Sequence, residues 1–287
     1  MDNSFKNILI PTDFSSAAEN AVTHGLALAS KTKANVLFLH TYHFPILRGV
    51  NGENIYLDEN SNQEALKAAK ERLLETQKKA VVLHPDLHIE YTNEQGFLSD
   101  VITSICNQHH IDLIVMGTKG ASGLDEYLIG SNTAIVLDSV SCPVLVVPKN
   151  ASFKPYKKIL FATDFQFDDV EALFKLIPIA SLFGASLEVV HISHHAKEDA
   201  ELMDWFQQIC EERSPNKPIL FSNIVRSEST LKALNKLMHA KEIDLMAMTS
   251  TNKGFLKRLF TGSLTEKMAY HTDIPFMAFH VHENNRL

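Results

Sequence analysis

Ile8-Leu9-Ile10-Pro11-Thr12-Asp13-Phe14 is echoed later in the chain by Ile159-Leu160-Phe161-Ala162-Thr163-Asp164-Phe165. The same shift of 151 positions lays Ala34-Asn35-Val36-Leu37-Phe38-Leu39-His40 on Ala185-Ser186-Leu187-Glu188-Val189-Val190-His191. Two separate segments in one register indicate duplication. Further on, Ile111-Asp112-Leu113-Ile114-Val115-Met116 matches Ile243-Asp244-Leu245-Met246-Ala247-Met248 at a shift of 132. Gly130-Ser131 then falls on Gly262-Ser263, and Pro143-Val144-Leu145 on Pro275-Phe276-Met277. The second copy is therefore shorter by a net 19 residues, lost between His191 and Ile243. Pro148 to Pro155 carries two prolines and no apolar periodicity, so it reads as a linker. The expected domains are residues 1–149 and 154–287.

Each copy alternates short β-branched runs with helical patterns, the signature of βαβ units and a mostly parallel sheet. In the first copy, strands are expected near Asn7-Ile10, Asn35-His40, His88-Asn93, Leu113-Gly117 and Val144-Val147. Ala17, Ala18, Ala21, Val22, Gly25, Leu26 and Ala29 recur at helical spacing after a Ser16-x-x-Glu19 capping box. Ser61-x-x-Glu64 predicts a second helix to about Ala80, with two more over Leu98–His109 and Asn132–Ser139. The fold class is α/β, two tandem open parallel sheets of Rossmann-like architecture with helices on both faces. The closing strands, Val144–Val147 and Phe276–Phe279, are apolar edges that would be hazardous unpaired. They are expected to pair antiparallel as an intramolecular pseudo-dimer, with homodimerisation of chains a further option. Met203-Asp204-Trp205-Phe206 is expected to pack a helix onto the second sheet.

Composition excludes several classes. Of 287 residues, 45% are hydrophobic and 21% charged, as in ordinary globular chains. With 27 Lys+Arg against 34 Asp+Glu, the net charge of -7 disfavours a broad nucleic-acid or anionic-membrane surface. Apolar runs fall far short of the roughly 20 residues that span a bilayer. MDNSFKN lacks the pattern of a signal peptide, so a cytoplasmic location is expected. Cys106, Cys142 and Cys210 are distant in sequence and show no CxxC spacing, which predicts reduced, buried thiols.

In an open α/β sheet, ligands bind outside the carboxyl ends of the strands. That rule selects Pro11-Thr12-Asp13, His40-Thr41 and the segment after Met116. The last reads Gly117-Thr118-Lys119-Gly120, nine residues, then Gly130-Ser131-Asn132-Thr133. Glycines allow sharp turns and close backbone approach. The helix after Gly130-Ser131 would direct free N–H groups and its positive dipole end at a ligand, for which phosphate is the natural choice. Lys119 would add positive charge. The alternative is that these glycines serve only the turn and Ser131 only caps its helix. Neither a Walker A GxxxxGKS/T nor a GxGxxG fingerprint is present.

The opening ILIPTDFS, the strand ending in His40, the spacing G-2x-G-9x-G-S/T and the closing Cys142-Pro143-Val144-Leu145-Val146-Val147-Pro148 together resemble the universal stress protein (UspA-type) family. The resemblance spans essentially the whole chain as two tandem domains. It implies that domain 1 binds ATP, often with a divalent ion such as Mg. It places Asp13 and Thr41 at the adenosine end, Pro11, Met116 and Gly117 along the nucleoside pocket, and Gly120, Gly130, Ser131, Asn132 and Thr133 around the phosphates. A regulator or sensor is implied rather than a turnover enzyme. The second copy departs from the pattern. Ala162, Thr249 and Asn252 stand where Pro11, Gly117 and Gly120 stand in the first, while Asp164 and Gly262-Ser263 persist. One competent nucleotide site per chain is therefore expected, with Lys253, Lys257 and Arg258 as solvated charges.

Other residues carry weaker signals. His40-x-x-His43 is repeated as His191-x-x-His194, followed by His195. Residues three apart on a strand point to opposite faces, which argues against one shared metal ion. His109-His110 and His280-x-His282 lack ligand partners at suitable spacing. Asp125 or Glu126 could serve a Mg-dependent nucleotide hydrolase of low turnover, and an interaction module needing no nucleotide is a third class.

Overall fold

The computed structural model describes residues 5–43, 46–48, 54–56, 59–118, 131–193, 198–214, 218–225, 230–249 and 273–280. The first copy runs β1 (Asn7–Pro11), α1 (Ser16–Thr32), β2 (Asn35–Tyr42), β3 (Ile46–Arg48), β4 (Asn54–Tyr56), α2 (Glu59–Leu83), β5 (Ile89–Gln95), α3 (Leu98–His109), β6 (Leu113–Gly117), α4 (Ser131–Ser139) and β7 (Val144–Val147). The second runs β8 (Lys158–Ala162), α5 (Phe167–Phe183), β9 (Ser186–Ser193), α6 (Glu198–Arg213), β10 (Ile219–Val225), α7 (Thr230–Lys241), β11 (Leu245–Thr249) and β12 (Phe276–Phe279).

Both copies share one ten-stranded sheet in the order β10-β9-β8-β11-β12-β7-β6-β1-β2-β5. Within this sheet every pairing inside a copy is parallel. The copies join where β12 meets β7 antiparallel, with Phe276 opposite Val146, Met277 opposite Leu145 and Ala278 opposite Val144. Every residue of both strands is buried, because this junction gives each a neighbour on both sides and a helix layer on both faces. Two apolar clusters fill the layers, and each draws residues from both copies. One contains Ile8, Ile10, Phe38, Phe161, Leu176 and Phe206, and the other Leu9, Ile114, Val146, Leu160, Met246 and Phe276.

The connection between copies is also packed. His24 of α1 bonds through one ring nitrogen to the Tyr156 hydroxyl at 3.0 Å and through the other to Ala151 O at 3.1 Å. Tyr156 is fully buried, with its ring 4.9 Å from that of Phe183. Each opening strand is pinned by a carboxylate that sequence reading overlooked. Asp112 Oδ2 accepts from Lys6 N and Asn7 N, and Asp244 Oδ2 accepts from Lys157 N and Lys158 N.

Three details differ from the sequence reading. The cap of α1 is Ser15, not Ser16: its hydroxyl accepts from Ala18 N at 3.3 Å. Helix α2 starts at Glu59, before Ser61, and a separate β3–β4 hairpin precedes it. The cysteines are not uniformly buried. Cys210 is, but Cys106 and Cys142 are half-buried, and their sulfurs lie 3.9 Å apart. No helix among the described residues is long and apolar enough to cross a membrane.

Candidate functional site

In domain 1, β1 lies between β2 and β6, so three strand ends open into one crevice. Pairing of Pro11 with Leu39, continued along the strands, sets Asp13 level with Thr41. Pairing of Leu9 with Ile114, continued likewise, sets Pro11 level with Met116. The structure thus brings Pro11, Thr12, Asp13, Thr41, Met116 and Gly117 to one edge. Lys119, Gly120 and Gly130 lie outside the described residues, as do Asp125 and Glu126. Ser131, Asn132 and Thr133 form the first turn of α4. Ser131 and Asn132 are exposed there, whereas Thr133 is buried.

The β1–α1 turn is tightly specified. Thr12 N donates to Leu39 O, and the Thr12 hydroxyl accepts from Phe14 N at 3.0 Å. This holds Phe14 at φ 62°, a left-handed conformation costly for a bulky side chain. Asp13 Oδ1 accepts from Ser15 N at 3.0 Å. His40 Nδ1 donates to Thr12 O at 2.8 Å, which fixes the histidine against the turn. Arg72 of α2 adds a contact that spacing could not reveal: its guanidinium sits 4.3 Å from the Phe14 ring centre, and Nη2 donates to Phe14 O at 3.3 Å.

Gly117 is required for a reason other than ligand approach alone. A Cβ at this position would lie 2.7 Å from the carbonyl carbon of Ala17 and 2.8 Å from its oxygen. The missing side chain thus allows the start of α1 to pack directly on the end of β6. Thr133 Oγ1 donates to Gly117 O at 2.9 Å, tying α4 to the same point. Its hydroxyl hydrogen is thereby committed, and Thr133 can offer an anion its backbone N–H.

Domain 2 repeats the turn and adds a buried carboxylate beside it. Thr163 Oγ1 accepts from Phe165 N, Phe165 has φ 59°, and His191 Nδ1 donates to Thr163 O at 2.7 Å. Here Thr249 stands at the position of Gly117 and Asp169 at that of Ala18. The Asp169 carboxylate, 1% exposed, accepts from Thr249 Oγ1 at 2.5 Å, Thr163 Oγ1 at 2.8 Å, Asp164 N at 3.0 Å and Gln166 N at 3.1 Å. Burial raises the pKa of this carboxyl, while the hydrogen bonds from Thr249, Thr163 and the backbone pull it back. A carboxylate of the chain itself thus takes the donors at the start of α5 and bridges them to the end of β11.

His191 Nε2 also lies 3.5 Å from Asp199 Oδ2, a partner absent from the sequence reading. Among the described residues, no group of three His, Cys, Asp or Glu side chains is arranged to hold a metal ion. A groove of about 810 Å³ runs along edge strand β5 and α3. Its charged lining includes Glu90, Glu94 and Asp100 but no lysine or arginine, which is unsuitable for a polyphosphate.

Two parallel α/β copies fused into one sheet through an antiparallel junction define a tandem Rossmann-like protein. The chain belongs to the universal stress protein family, whose model (Universal stress protein family) matches residues 4–148 and 155–280. It is 31% identical over 163 residues to Universal stress protein MJ0577 of Methanocaldococcus jannaschii, covering 53% of this chain and 100% of that protein. It is 23% identical over 308 residues to Universal stress protein Slr1230 of Synechocystis, covering 96% and 99%. Among solved structures, a universal stress protein from Archaeoglobus fulgidus superposes with a TM-score of 0.74 at 19% identity, covering 97% of each chain. That likeness is one of fold.

Proposed function

We propose that domain 1 binds an adenine nucleotide, with ATP the expected occupant, and that the chain acts as a stress-response regulator or sensor rather than a turnover enzyme. The observation that carries this reading is the convergence of the β1, β2 and β6 ends with the first turn of α4. Asp13 and Thr41 stand at one side as polar groups for a nucleoside. Exposed Ser131 and Asn132 at the start of α4 supply a hydroxyl and free N–H groups under a positive helix end, which suits phosphate. Lys119, Gly120 and Gly130 complete the proposed site on the strength of the family spacing. A divalent ion such as Mg would bind chiefly through the phosphate oxygens.

The route from site to response runs through the sheet. Thr133 holds α4 to Gly117, β6 pairs with β7, and β7 pairs with β12 of domain 2. A ligand that favours one position of α4 would thereby bias the junction between copies. Titration calorimetry with ATP and Mg tests the binding step. Heat is expected from the wild-type chain and none from Gly120→Val or Gly130→Val. Unchanged affinity in both variants would refute the site. Phosphate release should stay at the buffer blank, and sustained turnover would favour the hydrolase reading instead.

A further inference from the structure

Cys106 near the end of α3 and Cys142 in the α4–β7 connection are 36 positions apart in sequence, yet their sulfurs lie 3.9 Å apart. Both are half-buried, whereas Cys210 is buried. Cys106 also lines a cavity of about 230 Å³, with Thr103, Asn107, Ser139, Ser141 and His280 among its walls. These polar groups give a small hydrogen-bonding molecule a place beside the sulfur. The duplication supplies a comparison for packing: the positions equivalent to Cys106 and Cys142 are Met238 and Ile274. Met238 is fully buried and Ile274 packs on the same apolar cluster. The fold therefore accepts ordinary apolar side chains at these two positions, and thiols there are not a requirement of the sheet or helices.

We infer that Cys106 and Cys142 form a reactive dithiol site that a small-molecule disulfide of the glutathione type converts to an intramolecular disulfide. The Cys106 thiolate attacks one sulfur of the reagent, forming a mixed disulfide and releasing the first thiolate, which takes up the proton lost by Cys106. Cys142 then loses its proton and attacks Cys106 Sγ, forming the Cys106–Cys142 bond and expelling the second thiol. The protein dithiol is oxidised by two electrons, and the reagent is reduced to two thiols. Closing the sulfurs from 3.9 Å to bonding distance asks for a movement of about 2 Å.

The order of attack follows from access, because Cys106 and not Cys142 is among the residues lining the cavity. A hydrogen bond from Cys142 holds the Cys106 thiol below the ordinary cysteine range, against the opposing effect of burial. Cys142 is held above that range by the same contact and by burial. Cys210 is pushed up to about 12, chiefly by burial. It serves as an internal control.

The reduced full chain, mixed with oxidised glutathione at mildly alkaline pH, then acid-quenched, unfolded and alkylated, provides the test by peptide mapping. The expected product joins the Cys106 and Cys142 peptides, two hydrogens lighter than their sum, with Cys210 alkylated. Cys142→Ser should stop at a stable glutathione adduct on Cys106. Cys106→Ser should leave Cys142 reacting on the order of tenfold more slowly than Cys106 does in the wild type. Two results would overturn the assignment: Cys106 and Cys142 no more reactive than Cys210 in the folded wild type, or wild-type adducts that never resolve to the cross-link.

Discussion

The crevices of the two domains share one backbone plan and opposite chemistry. In both, a threonine hydroxyl holds a phenylalanine in a left-handed turn, and a histidine donates to the threonine carbonyl. In domain 1, Gly117 lets α1 pack against the end of β6, and no carboxylate occupies position 18. In domain 2, Asp169 and Thr249 substitute a buried hydrogen-bonded bridge for that close packing. The difference teaches that a duplicated domain can keep its fold while exchanging a close backbone contact for a buried hydrogen-bonded bridge.

The largest expected effect comes from breaking the domain 2 bridge. Asp169→Ala strands two hydroxyls and two backbone N–H groups, and should lower stability by about 3 kcal/mol in urea unfolding. A loss below about 1 kcal/mol would show that water replaces the carboxylate easily. Next, Gly117→Thr copies domain 2 into domain 1 without its partner carboxylate. The new Cβ meets the Ala17 backbone, so a cost of about 2 kcal/mol and loss of ATP heat are expected. Retained binding at full affinity would mean that the α1–β6 contact does not shape the site.

A smaller change tests what holds the copies together. Tyr156→Phe leaves His24 Nδ1 without its hydroxyl partner and should cost about 1 kcal/mol, read from the same unfolding curves. Burial depresses the pKa of His24 below its ordinary 6.5, against the bond to Ala151 O. The unfolded chain therefore binds this proton more readily, and the associated stability is lost as pH falls through 6.5 toward the folded pKa. Comparing urea midpoints at about pH 7 and about pH 5 should show a smaller acid loss in His24→Gln than in the wild type. Equal slopes would remove His24 from the acid response.

Much of this was legible because it depends on local pattern. Apolar runs marked the strands, and matched runs such as Ile8–Phe14 and Ile159–Phe165 exposed the duplication. The strand-end rule selected Pro11-Thr12-Asp13, His40-Thr41 and the segment after Met116 without any view of the fold. What escaped reading depends on distance in sequence. Asp169 lies in the first turn of α5, and only the fold carries it to Thr249, 80 positions away. Arg72 reaches Phe14 across 58 positions, and Cys106 reaches Cys142 across 36. The Ser16-x-x-Glu19 spacing predicts Ser16 as the cap of α1, whereas hydrogen-bond geometry makes it Ser15.

The number of ATP molecules bound per full-length chain tests the central claim most directly. Titration calorimetry of the wild-type protein with ATP and Mg should give one site per chain, abolished by Gly130→Val in domain 1 and unaffected by Gly262→Val in domain 2. Two equivalent sites, or a single site lost on Gly262→Val instead, would contradict the account.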